Sequence, residues 1–181
     1  MKKAKLILST IVLTSLCSGF LGTGTVDASE HARNTYNNKV VSLLAASDPT
    51  LAMTHTEPDP YLWNELFMET YAPSNAAQRW VMEYNENSGG YYIREETPLF
   101  SSRPFYLVYS GGWFVNPNLS KGDEGSLWQL IPAGNAYFVR NMARDEYLTW
   151  HLGGSGLLDV GVTAFNWDRE QRFTVQVVGE V

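Results

Sequence analysis

The sequence predicts an all-β chain built on pseudo-threefold symmetry, and three observations predict it. One strand-like stretch occurs three times, as Gln78-Arg79-Trp80-Val81-Met82-Glu83-Tyr84, as Ser126-Leu127-Trp128-Gln129-Leu130 and as Gln171-Arg172-Phe173-Thr174-Val175-Gln176-Val177. The aromatic anchors of the copies, Trp80, Trp128 and Phe173, lie 48 and 45 residues apart, a spacing that marks a repeat architecture. Within each copy the apolar side chains alternate, which is the signature of a strand buried on one face.

Residues 1–28 precede the repeats and read as a secretory signal peptide. Lys2, Lys3 and Lys5 form a basic start, Leu6 to Cys17 is apolar, and Val26-Asp27-Ala28 gives a small-x-small cleavage site before Ser29. The apolar run is short for a membrane anchor. Lipid attachment at Cys17 is disfavoured by Leu16, where a small residue is required. The mature chain is therefore expected to be secreted and, since Cys17 is the only cysteine, free of thiols and disulfides. Removing the segment takes three lysines and one aspartate, so the net charge moves from −6 to −8. That balance argues against nucleic acid or an anionic membrane surface as partner.

Residues 29–38 are polar and unpatterned and read as a flexible lead-in. The first unit starts with the apolar run Val40-Val41-Ser42-Leu43-Leu44, turns at Ser47-Asp48-Pro49 and continues in Leu51-Ala52-Met53. Two prolines, Pro58 and Pro60, keep the next loop out of a central strand. Tyr61 to Tyr71 has Leu62 and Leu66 near helical spacing, so a helical turn competes with a strand there; the other two units favour the strand. Asn85 to Gly90 is a turn that separates the units. The second unit opens with Tyr91-Tyr92-Ile93-Arg94, forms a hairpin from Phe105 to Tyr109 and Trp113 to Val115, and reaches Trp128 through a polar loop. The third repeats the opening as Tyr137-Phe138-Val139-Arg140, followed by strands at Tyr147 to Trp150 and Val162 to Trp167 around a glycine-rich turn.

Three units of about four short strands each, with these spaced anchors, make residues 39–181 resemble the ricin-type lectin family of β-trefoils, whose repeats carry a Gln-x-Trp motif. Gln78-x-Trp80 matches in full, Gln171-x-Phe173 conservatively and Ser126-x-Trp128 in the aromatic alone. The resemblance implies an all-β, β-trefoil fold with three pseudo-repeats and a carbohydrate-binding function. In sugar-binding members each active repeat supplies an Asp after its second strand, a stacking aromatic, and an Asn before the motif's Gln. Here the first position holds Met53, Ser102 or Val108, and Trp150, while Ala77, Gly125 and Glu170 stand before the motif. The family's galactose site therefore does not carry over.

The chain is nonetheless rich in aromatics, with 6 Trp and 10 Tyr. Trp80 and Trp128 occupy the buried phase of their strands and are assigned to the core. Trp63, Trp113, Trp150 and Trp167 fall at strand ends or in turns, where capping the barrel competes with binding a ligand. Trp167 is the best ligand candidate, because Asn166, Asp168 and Glu170 surround it with hydrogen-bonding groups. Asp145, Tyr147 and Trp150 are expected to form the opposite wall of the same pocket.

No arrangement supports catalysis. The three histidines, His31, His55 and His151, lack metal-ligand spacing, and no nucleophile turn is present. Glu95/Glu96 and Asp123/Glu124 could in principle serve glycoside hydrolysis, but neighbours on a strand face opposite ways, so both pairs are expected to be solvated surface. No cofactor is expected. The expected function is a secreted, non-catalytic carbohydrate-binding module, with a cell-surface or extracellular glycan as partner, serving as the recognition component of a toxin or adhesin. The alternative is a protein–protein adaptor in a secreted complex, without a sugar site. A trefoil protease inhibitor ranks lower, because no disulfide stiffens a loop.

Overall fold

The computed structural model describes residues 34–57, 65–111, 114–118, 121, 124–153 and 157–181. The expected signal peptide, Trp63, Trp113 and Asp123 lie outside the described residues. Twelve strands are found among them, β1 (Lys39–Ala45), β2 (Asp48–His55), β3 (Leu66–Thr70), β4 (Trp80–Asn85), β5 (Gly90–Glu95), β6 (Tyr106–Gly111), β7 (Phe114–Asn118), β8 (Leu127–Ala133), β9 (Ala136–Asn141), β10 (Glu146–Leu152), β11 (Leu158–Thr163) and β12 (Arg172–Glu180).

The first and last strands of each unit close into a six-stranded antiparallel barrel. β1 pairs β4, β4 pairs β5, β5 pairs β8, β8 pairs β9, β9 pairs β12, and β12 returns to β1. The middle strands form three hairpins, β2–β3, β6–β7 and β10–β11. A closed barrel with three hairpins related by a pseudo-threefold is the β-trefoil, and closure leaves no barrel strand with an open edge. Among the described residues no helix is long and apolar enough to cross a membrane.

The repeated stretch is the means of closure. A short 3-10 turn precedes each last strand, at Ala76–Gln78, Glu124–Ser126 and Arg169–Gln171. Trp80, Trp128 and Phe173 then enter the barrel and are almost completely buried. Trp80 Nε1 donates to the Met53 carbonyl at 3.2 Å and Trp128 Nε1 to the Leu107 carbonyl at 2.9 Å, so each indole joins its barrel strand to its own hairpin. Gln78 and Gln171 are also fully buried. Gln78 Nε2 donates to Thr54 Oγ1 and the Thr70 carbonyl while its Oε1 accepts from the Ala72 amide. Gln171 Nε2 donates to Thr163 Oγ1 and the Ala164 carbonyl, and its Oε1 accepts from the Asn166 amide. The buried motif glutamine therefore bonds loop backbone groups that sheet pairing does not reach.

The middle unit has Ser126 in place of the glutamine and closes differently. Gly125 lies so near β6 that a Cβ there would come within 2.8 Å of the Tyr109 carbonyl oxygen. Asn141 Nδ2 donates to the Gly125 carbonyl at 2.8 Å. Direct backbone contact replaces the glutamine bridge, and only glycine permits it.

Several boundaries differ from the sequence reading. Asp48 and Pro49 belong to β2 rather than to the turn, which lies at Ala46 and Ser47. From Leu66 the segment before Tyr71 is strand, as favoured, while 61–64 lie outside the described residues. The strand expected at Val162 to Trp167 runs instead from Leu158 to Thr163, and the residues after it form a loop. Residues 34–38 are not a free lead-in either. Tyr36 packs on the core, its hydroxyl donates to Tyr137 Oη at 3.2 Å, and its amide donates to Tyr91 Oη at 3.4 Å. Tyr91 and Tyr137 hold matching places opposite Trp128 and Phe173, and the third such place is Val41, opposite Trp80. Tyr36 brings the third aromatic ring to this end of the barrel. Burial and its hydroxyl neighbours push the Tyr36 phenol well above its ordinary pKa, and burial raises that of Tyr91 to about 12.

Candidate functional site

The loop between β11 and β12 carries the most exposed large aromatic side chain among the described residues, Trp167, at 75% exposure. Its backbone has φ +64°, a left-handed conformation that costs a non-glycine residue on the order of 1 kcal/mol. The loop holds it there. Gln171 fixes the Asn166 amide, Asn166 Oδ1 accepts from the Asp168 amide at 3.0 Å, and Asn166 Nδ2 donates to Asp168 Oδ2 at 2.5 Å. These bonds tie the residues on both sides of Trp167 to each other and to the buried glutamine.

Beneath the indole is a small stack of rings. Phe165 lies 4.5 Å from Trp167 between centroids, Phe138 meets both edge-on at 4.9 and 5.9 Å, and Tyr147 lies 4.7 Å from Phe165. Phe138 and Tyr147 are buried while Phe165 is partly open. Edge-to-face packing of this kind gives the exposed indole a rigid base. Asp145, also left-handed with φ +56°, accepts from Arg140 Nη1 at 3.1 Å and from the Tyr147 hydroxyl at 3.4 Å. Burial, and then the Asp145 carboxylate, raise the Tyr147 pKa, which keeps that hydroxyl a donor.

Of the six residues expected here, Asn166, Trp167 and Asp168 form one loop, while Asp145 and Tyr147 lie at the start of β10, where Tyr147 reaches the ring stack. Trp150 is not brought to the stack by any ring contact. It packs against the hydrophobic core, and its Nε1 is buried with no hydrogen-bond partner among the described residues. Phe138 and Phe165 were missed. Phe138 was legible as the counterpart of Tyr92 in the repeated unit opening, whereas Phe165 was read as part of a strand.

Glu95 overturns the expectation of a solvated pair. It is 2% exposed, and its Oε1 lies 2.5 Å from Nδ1 of His55, whose side chain is likewise buried. Glu95 Oε2 accepts from the Phe105 amide at 2.9 Å, and Phe100 and Phe105 set their rings edge-on against the imidazole. An acid–histidine pair is a frequent catalytic device, but this one lies under phenylalanines without solvent contact and joins β2 to β5. Glu96 does face outward, where Arg79 forms a two-pronged ion pair with it. No group of three potential metal ligands occurs among the described residues.

No protein-family model matches the sequence. No curated protein matches it either. Among solved structures it is similar to a mosquitocidal holotoxin, with TM-score 0.65 and 17% identity over 80% of this chain and 18% of that one. It is similar to the lectin of Polyporus squamosus, with TM-score 0.61 and 15% identity over 78% of this chain and 49% of the lectin. A designed threefold-symmetric protein, ThreeFoil, gives TM-score 0.61 and 12% identity over 76% of this chain and 97% of the design. The fold is the β-trefoil. This chain thus spans a minor part of the holotoxin and about half of the fungal lectin, and at these identities the likeness is one of fold.

Proposed function

We propose that the chain is a secreted, non-catalytic carbohydrate-binding module whose third unit holds the ligand against Trp167. One observation carries the reading: a left-handed loop residue presents an indole to solvent on a base of three packed rings. An isolated exposed tryptophan is costly to hydration, and here loop hydrogen bonds and edge-on packing preserve its exposure. The apolar face of a pyranose matches such a surface, and Asp145, Asp168 and Asn166 offer carboxylate and amide groups to sugar hydroxyls at its margin. Support in kind comes from the Polyporus lectin, whose structure is described as bound to a sialylated trisaccharide. The likeness to part of a mosquitocidal holotoxin supports a role as recognition component of a larger secreted assembly.

A second reading is favoured by a specific feature of the same loop. Asn166 and Asp168 bond to each other, and Phe165 continues the apolar surface of Trp167. An exposed aromatic pair with self-satisfied polar neighbours also suits a protein interface, in which the chain acts as adaptor. A glycan array probed with the mature chain, together with capture of partners from the culture medium, decides between them. Saturable binding to a defined saccharide supports the first reading; no glycan binding together with stoichiometric capture of one secreted protein supports the second.

A further inference from the structure

The ring stack of the third unit has a counterpart in the second. Tyr91 and Tyr137 hold equivalent places opposite Trp128 and Phe173, so the next residues, Tyr92 and Phe138, are equivalent too. Their partners Tyr106 and Tyr147 are the first residue of β6 and the second of β10, the second strands of their units. The two pairs have nearly the same geometry: Tyr92 and Tyr106 lie 6.4 Å apart at 83°, Phe138 and Tyr147 6.3 Å apart at 88°. In the first unit the corresponding residues are Ser42 and Ala52, so no rings stand there.

What covers the two ring pairs differs. In the third unit the loop before the 3-10 turn places Phe165 and the exposed Trp167 over them. In the second unit the matching loop places Lys121. Its Nζ stands 4.8 Å from the Tyr92 centroid and 5.8 Å from that of Tyr106, and it donates to Glu83 Oε2 at 2.6 Å. Glu83 is held in turn by Arg94 Nε at 2.5 Å, and Asn85 Nδ2 donates to the Tyr92 hydroxyl at 3.2 Å. Burial pushes the Glu83 carboxyl up, but the hydrogen bonds from Lys121 and Arg94 outweigh it and hold the group charged, below the usual carboxylate range. An ammonium over a ring face with a carboxylate beside it is a complete cation site, filled by the chain itself.

We infer that Lys121 is an intramolecular plug over a second aromatic surface, so that the chain, with no ring pair in its first unit and a closed one in its second, binds glycan through its third unit alone. This rests on the reading of Trp167 given above. The plug matters because valence sets how tightly a module holds a surface bearing many copies of a sugar. A chain with one site depends on its assembly for avidity.

Two substitutions act on the plug from opposite ends. Lys121→Ala removes it, and Glu83→Gln removes its anchor while leaving the lysine. Nitration of tyrosines by tetranitromethane, read by peptide mass spectrometry, reports whether the rings are covered. Titration calorimetry with the strongest-binding saccharide of the glycan array reports valence. The expected result is a severalfold rise in nitration of Tyr92 and Tyr106 in both variants, with stoichiometry near one for the native chain and about two for Lys121→Ala. Unchanged nitration overturns the plug whatever the sugar result. Raised nitration with stoichiometry still near one overturns the claim that the plug sets valence, as does a native stoichiometry of two. If no saccharide binds any form, the glycan reading falls and the inferred valence falls with it, while nitration alone decides whether Lys121 covers the rings.

Discussion

His55 Nδ1 and Glu95 Oε1 meet at 2.5 Å between two side chains that are both buried, and this contact joins the first unit's hairpin to the second unit's barrel strand. Taking one partner away leaves the other without its counterpart in the interior, which commonly costs about 3–5 kcal/mol. Glu95→Ala also frees the Phe105 amide that Glu95 Oε2 accepts. Both Glu95→Ala and His55→Ala are therefore expected to lower stability by about 3 kcal/mol in denaturant melts. The double variant should cost less than the sum of the two. Additive losses would show that the residues act separately.

The indoles of the repeated motif should be structural in two separable ways. Trp80→Ala and Trp128→Ala are each expected to cost about 3–5 kcal/mol, as large-to-small core changes do. Trp80→Phe and Trp128→Phe keep most of the ring but leave the Met53 or Leu107 carbonyl without the indole donor. They should cost about 1–3 kcal/mol. Phe173 is the native precedent for a motif position without that donor. A loss below about 1 kcal/mol in both alanine variants would contradict the barrel core described here.

How much of this was legible in the sequence follows from how far each signal reaches. Trp80, Trp128 and Phe173 are local: alternation with period two and a near-constant spacing place them in the core and give the threefold without any tertiary information. Glu95 was misread because its partner, His55, is forty residues away on another unit, and a carboxylate on a strand is ordinarily at the surface. Tyr36 was misread because its value comes from a gap left by Val41, which no local pattern reports. In the candidate site, Trp167 with Asn166 and Asp168 could be read from the loop composition. Phe165 could not be joined to them, since the strand was placed four residues late and its alternation assigned to the wrong segment, whereas Phe138 was within reach of the repeated unit opening that it shares with Tyr92.

Glu96 and Arg79 give a pH dependence whose sign can be worked out. The Arg79 hydrogen bond holds the Glu96 carboxyl below its ordinary value. A carboxylate with a depressed folded-state pKa contributes stability that is fully present above its unfolded value of about 4.3 and is lost as pH falls through the folded one. The pair is partly solvated, so the effect should stay below about 1 kcal/mol. Glu96→Gln is expected to melt slightly below the native chain at pH 7, and the gap should close below about pH 4. A gap that persists or widens at low pH would show that the carboxylate's charge is not what stabilises.

Trp167 allows binding and stability to be tested at one position, because its backbone and its side chain pull in different directions. The side chain is largely in water and lends little to the core, so its removal should leave the unfolding midpoint near its native value. The backbone is left-handed at φ +64°, a conformation glycine adopts without the penalty that a residue with a Cβ meets. Trp167→Gly is therefore expected to gain up to about 1 kcal/mol from that relief, offset by the larger conformational freedom of glycine in the unfolded chain. Trp167→Ala keeps the strain and should be the less stable of the two. Both variants remove the indole, and both should weaken glycan binding about tenfold or more, since ring stacking contributes on the order of 1 kcal/mol beyond buried area. Melts and titrations on the same two proteins give the answer. Equal loss of affinity with unequal stability places the function in the exposed ring, whereas affinity that follows stability across the pair would make Trp167 a loop-shaping residue and move the binding surface elsewhere on the barrel.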